Sequence, residues 1–288
     1  MRSSMNESKI LITGANGQLG RALIEIFPTA TVTDVDELDI TDSESVENYH
    51  WTNIQTIINA AGYTNVDGAE TPDGKKAAWK VNDEAVGHLA DAAVSNDLLL
   101  VHVSTAYVFD GHKRMYKEDD VPNPLGEYAK SKAAGDQKAA KVPKHYIVRT
   151  DSVIGEGKNF VRTMLGLAKK GVSPIVVADQ IIRPTFTNVL AEAIKFLIDK
   201  PVEFGVYNVT NEGEPISWAD FTRVIFEVAG IEQAVTNTTL AEYSASKPGT
   251  APRPQNSTLD LSKIEAIGFV PTDWRQDLRQ YISKELKS

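Results

Sequence analysis

The stretch Lys9-Ile-Leu-Ile-Thr-Gly14-Ala-Asn-Gly17-Gln-Leu-Gly20 decides the fold. A short apolar run enters a glycine, and Leu19, Leu23, Ile24 and Phe27 then recur at helical spacing, which reads as strand, turn, helix. Glycines allow backbone amides to approach a phosphate closely, and a helix N-terminus adds about half a positive charge there. The spacing is the dinucleotide fingerprint with one extra residue in its first interval, so Gly14, Gly17 and Gly20 are expected cofactor contacts. A plain tight βα turn would select the same glycines.

Outward from this unit, further strands are expected at 31–33, 55–58, 98–103 and 145–148, with helical patterns between them. Parallel neighbours need connections of a dozen residues or more, so the alternation predicts an α/β, Rossmann-like, doubly wound parallel sheet over 9–158. Helices at 159–170, 189–198, 218–228 and 273–286, with strands at 175–177 and 206–209, predict a smaller mixed α/β part. This part, 159–288, is read as mainly substrate-binding and interleaved with the first. Residues 244–256 read as a surface loop, and 1–8 as a disordered leader.

The chain has 288 residues, 42% hydrophobic and 24% charged, the balance of a globular enzyme. Its formal charge of −9 argues against general nucleic-acid affinity, and no apolar run is long enough for a membrane-spanning helix. The absence of cysteine excludes disulfides and thiol catalysis and is compatible with a reducing cytoplasm. His50, His88, His102, His112 and His145 lack metal-ligand spacing, so no metal site is expected.

Chemistry concentrates at the ends of the expected strands. Asp34 closes the second, where an acidic side chain accepts from ribose hydroxyls and disfavours a 2′-phosphate; this favours NADH over NADPH without excluding the latter. Asn59-Ala-Ala-Gly62 closes the third with small residues that leave room for a ligand. Tyr128 and Lys132 share a helix face at i and i+4, and Ser104-Thr105 ends a preceding strand. In this reading Tyr128 gives its proton to the alkoxide that hydride attack creates, Lys132 draws the phenol's pKa down from about 10 toward 7, and Thr105 orients the carbonyl. Tyr243 and Lys247 repeat the spacing, and no role is assigned to them.

With these residues assembled, the chain resembles an extended short-chain dehydrogenase/reductase, and within that group the dTDP-4-dehydrorhamnose reductase family. The likeness rests on ILITGANGQLGRAL at 10–23, NAAGYTNVDGAET at 59–71, STAYVFDG at 104–111, YAKSKAAGD at 128–136, DQIIRPTF at 179–186 and APRPQNSTLDLSKIEAIGF at 251–269. It implies reduction of the C4 ketone of a dTDP-sugar by NADH or NADPH, with a 3,5-epimerase as pathway partner. Carried over by motif, the cofactor contacts are Gly17, Gln18, Leu19, Asp34, Asp39, Ile40, Gly62, Tyr63, Thr64 and Val103, with Tyr128 and Lys132. The resemblance implies no metal, because the first helix begins Arg21-Ala22 where some members carry a Glu.

Three departures bear on the substrate. Ala106 stands where the family has an Asp that contacts the sugar, and Ser152 where a Trp packs against it. Ile181-Ile182 displaces an expected Gly. Loss of a carboxylate and of an aromatic wall would each remove about 1–3 kcal/mol of substrate binding. Arg183 and Arg253 are candidates for the substrate diphosphate, because a guanidinium grips two phosphate oxygens at once. A reductase for a different 4-keto nucleotide sugar, or a non-catalytic dinucleotide-binding regulatory subunit, are the alternatives.

Overall fold

The computed structural model describes residues 6–287. Six strands form the main sheet: β1 (Ile10–Thr13), β2 (Thr31–Thr33), β3 (Thr56–Asn59), β4 (Leu99–Thr105), β5 (His145–Thr150) and, from the second half of the chain, β10 (Gly205–Asn208). The short strands β6 (Val153–Ile154), β7 (Ile175–Val177), β8 (Ile181–Ile182) and β9 (Thr185–Phe186) precede β10 in the chain. The order across the main sheet is β10-β5-β4-β3-β1-β2, and every pairing in it is parallel. Chain order reverses between β1 and β3, and a crevice opens there at the strands' C-terminal ends.

Apolar runs on both faces explain why this sheet is buried on both sides. Ile10, Ile12, Ile58, Val101 and Val148 face one cluster, while Leu11, Ile57, Leu100 and Ile147 face the other. Helix α1 (Gln18–Ile26) covers the first face. Three helices that follow in the chain, α2 (Ser43–Glu47), α3 (Pro72–Trp79) and α4 (Ala85–Ser95), precede the long α5 (Glu127–Ala139). A π-helical turn, Lys80–Glu84, separates α3 from α4, where one unbroken helical pattern would have been the simpler reading. Helices α6 (Phe160–Lys169) and α7 (Thr187–Asp199) follow, and α7 returns to the first face against Leu19, Leu23 and Phe27 of α1 and its end.

A separate cluster forms the second half. Helix α8 (Trp218–Ala229) contributes Phe221, Ile225 and Phe226, and α6 contributes Val161, Met164 and Leu165. After α9 (Leu240–Ser246) and α10 (Ser262–Ala266), α11 (Trp274–Glu285) adds Trp274, Leu278 and Ile282.

The structure departs from the sequence reading at identifiable places. Strand β4 continues two residues beyond 103, so Ser104 and Thr105 are held in register against Arg149 and Thr150. The loop expected from 244 begins later, because a capping box between Thr239 and Glu242 starts α9 and carries it to Ser246. Of the expected leader, residues 1–5 lie outside the described residues, and Glu7–Lys9 form a 3-10 turn capped by the Asn6 side chain. Among the described residues, no helix is long and apolar enough to cross a membrane.

Candidate active site

A cavity of about 880 Å³ occupies the crevice. Its floor is made by the loops after β1 and β3, which touch. Gly14 has φ +71°, and a Cβ there would lie 2.6 Å from the Ala61 Cα. Gly20 lies behind the loop, where a Cβ would meet the Gly14 carbonyl at 2.2 Å, and so it packs the helix onto the turn without lining the cavity. Gly17 caps α1 with no side-chain hydrogen bond, leaving first-turn amides free of any side-chain cap toward the cavity.

Three of the expected cofactor contacts come from β2 and the segment after it. Asp34, Asp39 and Ile40 line the cavity. Asp34 Oδ2 accepts from the Asn16 amide at 3.0 Å and so ties β2 to the glycine turn. Asp39 Oδ1 accepts from the Thr41 hydroxyl at 2.6 Å and amide at 2.9 Å, and that hydroxyl holds its carboxyl below the ordinary range. Gly62, Tyr63 and Thr64 line the middle, beside Gln18 and Leu19. Asn82, which the sequence reading missed, fixes this segment. Its Oδ1 accepts from the Tyr63 amide at 2.9 Å, while its Nδ2 donates to the Tyr63 carbonyl and to Ser131 Oγ on α5, both at 3.1 Å. Asn82 lies in the π-helical turn, which no local pattern announces.

Tyr128, Lys132, Thr105 and Val103 meet at the other end. Small residues on α5 allow the approach: a Cβ at Gly135 would lie 2.0 Å from the Asn82 carbonyl. The helix start is pinned where the Glu127 amide donates to Glu70 Oε1 at 2.7 Å and Trp79 Nε1 donates to Glu127 Oε2 at 3.0 Å. Lys132 is 5% exposed, and its Nζ donates to the Val103 carbonyl at 2.6 Å. Burial pulls its ammonium down to about 8, with nearby Asp136 acting against that.

Burial likewise pushes the Tyr128 phenol up to about 12, while the hydrogen bond with the Thr105 hydroxyl works the other way. The lowering expected from Lys132 is therefore not what governs this phenol. Instead desolvation holds it in the acid form.

The sugar end differs most from expectation. Ser152 lines the cavity, but Ala106 is 0% exposed among Val108, Phe109, Tyr116 and Leu259. The 3-10 turn Ala106–Val108 turns Tyr107 toward the cavity and Ala106 into the core, so the predicted role of position 106 at the substrate is not what the backbone offers. Aromatic surface lines the cavity at other positions: Phe160 and Trp218, their ring centroids 4.4 Å apart.

Neither arginine candidate reaches the cavity. Arg183 Nη1 donates to the Leu259 carbonyl at 3.1 Å, and Arg253 pairs with Asp67 at 2.7 Å beside the cavity-lining Tyr107, whose phenol burial pushes up to about 12 against the pull of the Arg253 charge. Tyr107 meets Tyr128 edge-on at 6.4 Å and accepts from Gln180 Nε2 at 3.2 Å. At the mouth, Arg21 Nη1 pairs with Glu156 at 2.8 Å and Gln18 Oε1 accepts from the Gly155 amide at 2.9 Å.

A glycine turn that a methyl group would obstruct, an uncapped helix start and a desolvated phenol in one cavity suit a dinucleotide with a reducible substrate beyond it. Comparison with known proteins agrees. The family described as RmlD substrate binding domain matches residues 8–287. The dTDP-4-dehydrorhamnose reductase of Aggregatibacter actinomycetemcomitans is 42% identical over 292 residues, covering 94% of this chain and 97% of that protein. Among solved structures, the dTDP-4-dehydrorhamnose reductase ortholog of Clostridium acetobutylicum superposes with a TM-score of 0.89 at 37% identity, over 96% of this chain and 99% of that one. The Bacillus anthracis reductase, solved in complex with NADP, gives 0.88 at 33% identity, over 96% and 98%. The chain belongs to the dTDP-4-dehydrorhamnose reductase family.

Proposed function

We propose that this protein reduces the C4 ketone of dTDP-4-dehydro-L-rhamnose to the alcohol of dTDP-L-rhamnose, with NADH or NADPH as reductant. The observation that carries the reading is the half-buried, desolvated Tyr128 phenol, bonded to Thr105, in the same cavity as Lys132 and the glycine turn. The dinucleotide, when bound, supplies a hydride to the carbonyl carbon. Gly14 and Gly17 with the α1 start would hold its pyrophosphate, and Asp34 its adenosine ribose, which favours NADH.

The chain's own residues then manage the proton. A phenol at about 12 keeps its proton at neutral pH, so the acid is present whenever alkoxide charge develops. Thr105 donates to the oxygen that remains, and Lys132, anchored on the Val103 carbonyl, brings a cation into the same cavity. Residues 159–288 serve mainly to bind the sugar nucleotide, through Phe160 and Trp218. A 3,5-epimerization is the reaction class that would supply the substrate. A cytoplasmic location goes with a chain that has no cysteine.

The test is consumption of NADH or NADPH, followed by nicotinamide absorbance, on addition of dTDP-4-dehydro-L-rhamnose. Turnover supports the reading. Tight cofactor binding without turnover of any 4-keto nucleotide sugar points to the regulatory alternative.

A further inference from the structure

Asp151 places a carboxylate at the sugar end of the cavity, and proton delivery by Tyr128 has no use for it. It directly follows β5, lines the cavity and is 3% exposed. Its Oδ2 accepts from Ser257 Oγ at 2.7 Å and from the Arg183 amide at 3.1 Å, and its Oδ1 accepts from Ser152 Oγ at 3.1 Å. The Ser152 amide bonds to it as well, and all of these donors are neutral. The nearby cations are turned elsewhere: the Arg183 guanidinium donates to the Leu259 carbonyl, and the Lys132 ammonium to that of Val103.

A buried carboxylate held by neutral groups alone is costly, and burial pushes its carboxyl up to about 6. The next residue adds strain, because Ser152 is not glycine yet has φ +44°. Costs of this kind persist where the geometry serves a ligand. An ionised carboxylate only accepts hydrogen bonds, and Asp151 lines the cavity, so it faces whatever donors a ligand brings there. The charge also lies close enough to Tyr107 and Tyr128 to raise both phenols, which sets whatever it binds next to the reacting carbonyl.

A neutral sugar ring with donors on adjacent carbons meets these conditions. We infer that Asp151 is the specificity-determining acceptor for a ring hydroxyl of the hexose, beside the carbonyl that Tyr128 protonates. The inference rests on the reductase reading above and specifies how that site selects among 4-keto sugars.

Wild type and Asp151→Asn are compared on the 4-keto nucleotide sugar and on analogues each lacking one ring hydroxyl, with NADH affinity followed by fluorescence. One deoxy analogue should lose about 10- to 100-fold in kcat/KM with wild type. Asp151→Asn should lose a similar factor on the full substrate, mostly in KM, show little further loss on that analogue, and bind NADH as wild type does. Equal discrimination by both proteins would overturn the inference and leave the reductase reading intact. If Asp151→Asn does not fold, Asp151→Ser takes its place; a wild type indifferent to every deoxy analogue overturns the inference by itself. Failure of wild type to reduce any 4-keto sugar removes both.

Discussion

The chain contains two Tyr-x-x-x-Lys pairs, and they share nothing but their spacing. In the pair on α9 and its end, whose lysine is exposed, Lys247 Nζ donates to the Tyr243 hydroxyl at 3.2 Å and lies 4.4 Å from the centre of its ring. In the pair on α5, whose lysine is buried, Lys132 donates to the Val103 carbonyl, and the Tyr128 phenol bonds to Thr105. The α9 pair satisfies itself, whereas the α5 pair is divided between two other partners that belong to the cavity. Chemistry follows from that division, because an acid must offer its proton outward.

Substitution can break this contrast. Tyr128→Phe should lower kcat by about 10²- to 10⁴-fold with NADH affinity nearly unchanged, while Tyr243→Phe should leave steady-state rates at the wild-type level. Comparable losses in the two variants would remove the distinction.

The lysines sharpen it. Lys132→Met should lower kcat by about 10- to 100-fold and weaken cofactor binding, measured by fluorescence titration, with Lys247→Met as the control. A second readout is stability against pH. Burial holds Lys132 at about 8 against 10.5 for the free side chain. Between those values the unfolded chain binds more protons, so Lys132 makes stability rise with pH through that window, and its penalty is constant below it. The denaturation free-energy gap between Lys132→Met and wild type should therefore shift by about 2 kcal/mol in favour of wild type from pH 8 to 10.5.

The smallest effect belongs to Thr105. Thr105→Val should lower kcat about tenfold and Thr105→Ser should restore most of it, because the hydroxyl rather than the methyl meets the phenol.

What the sequence made legible was local. The run 9–13 entering Gly14, and the helical stripe after it, require only neighbouring residues to be read, and they mark β1 and α1 to within one residue. Tyr128 and Lys132 were legible because helical spacing and strand ends suffice to bring them to one sheet edge.

The sugar end was not legible in this way. Ala106 faces the core because of a single 3-10 turn, and the aromatic surface comes from Phe160 and Trp218 on helices far apart in the chain. Arg183 looked like a phosphate ligand by residue type, yet its guanidinium is claimed by the Leu259 carbonyl. Each of these outcomes depends on packing between distant segments, which composition and spacing do not encode.

Strand β10 and helix α7 come from beyond residue 158, yet one pairs with β5 along the main sheet and the other covers α1. Neither half can melt while the other keeps its core, since departure of the later segment would bare a sheet edge and strip an apolar face from the earlier one. Heating should therefore give one calorimetric peak, with equal calorimetric and van't Hoff enthalpies, rather than two steps. The binding cleft would be lost at the same temperature as the scaffold beneath it.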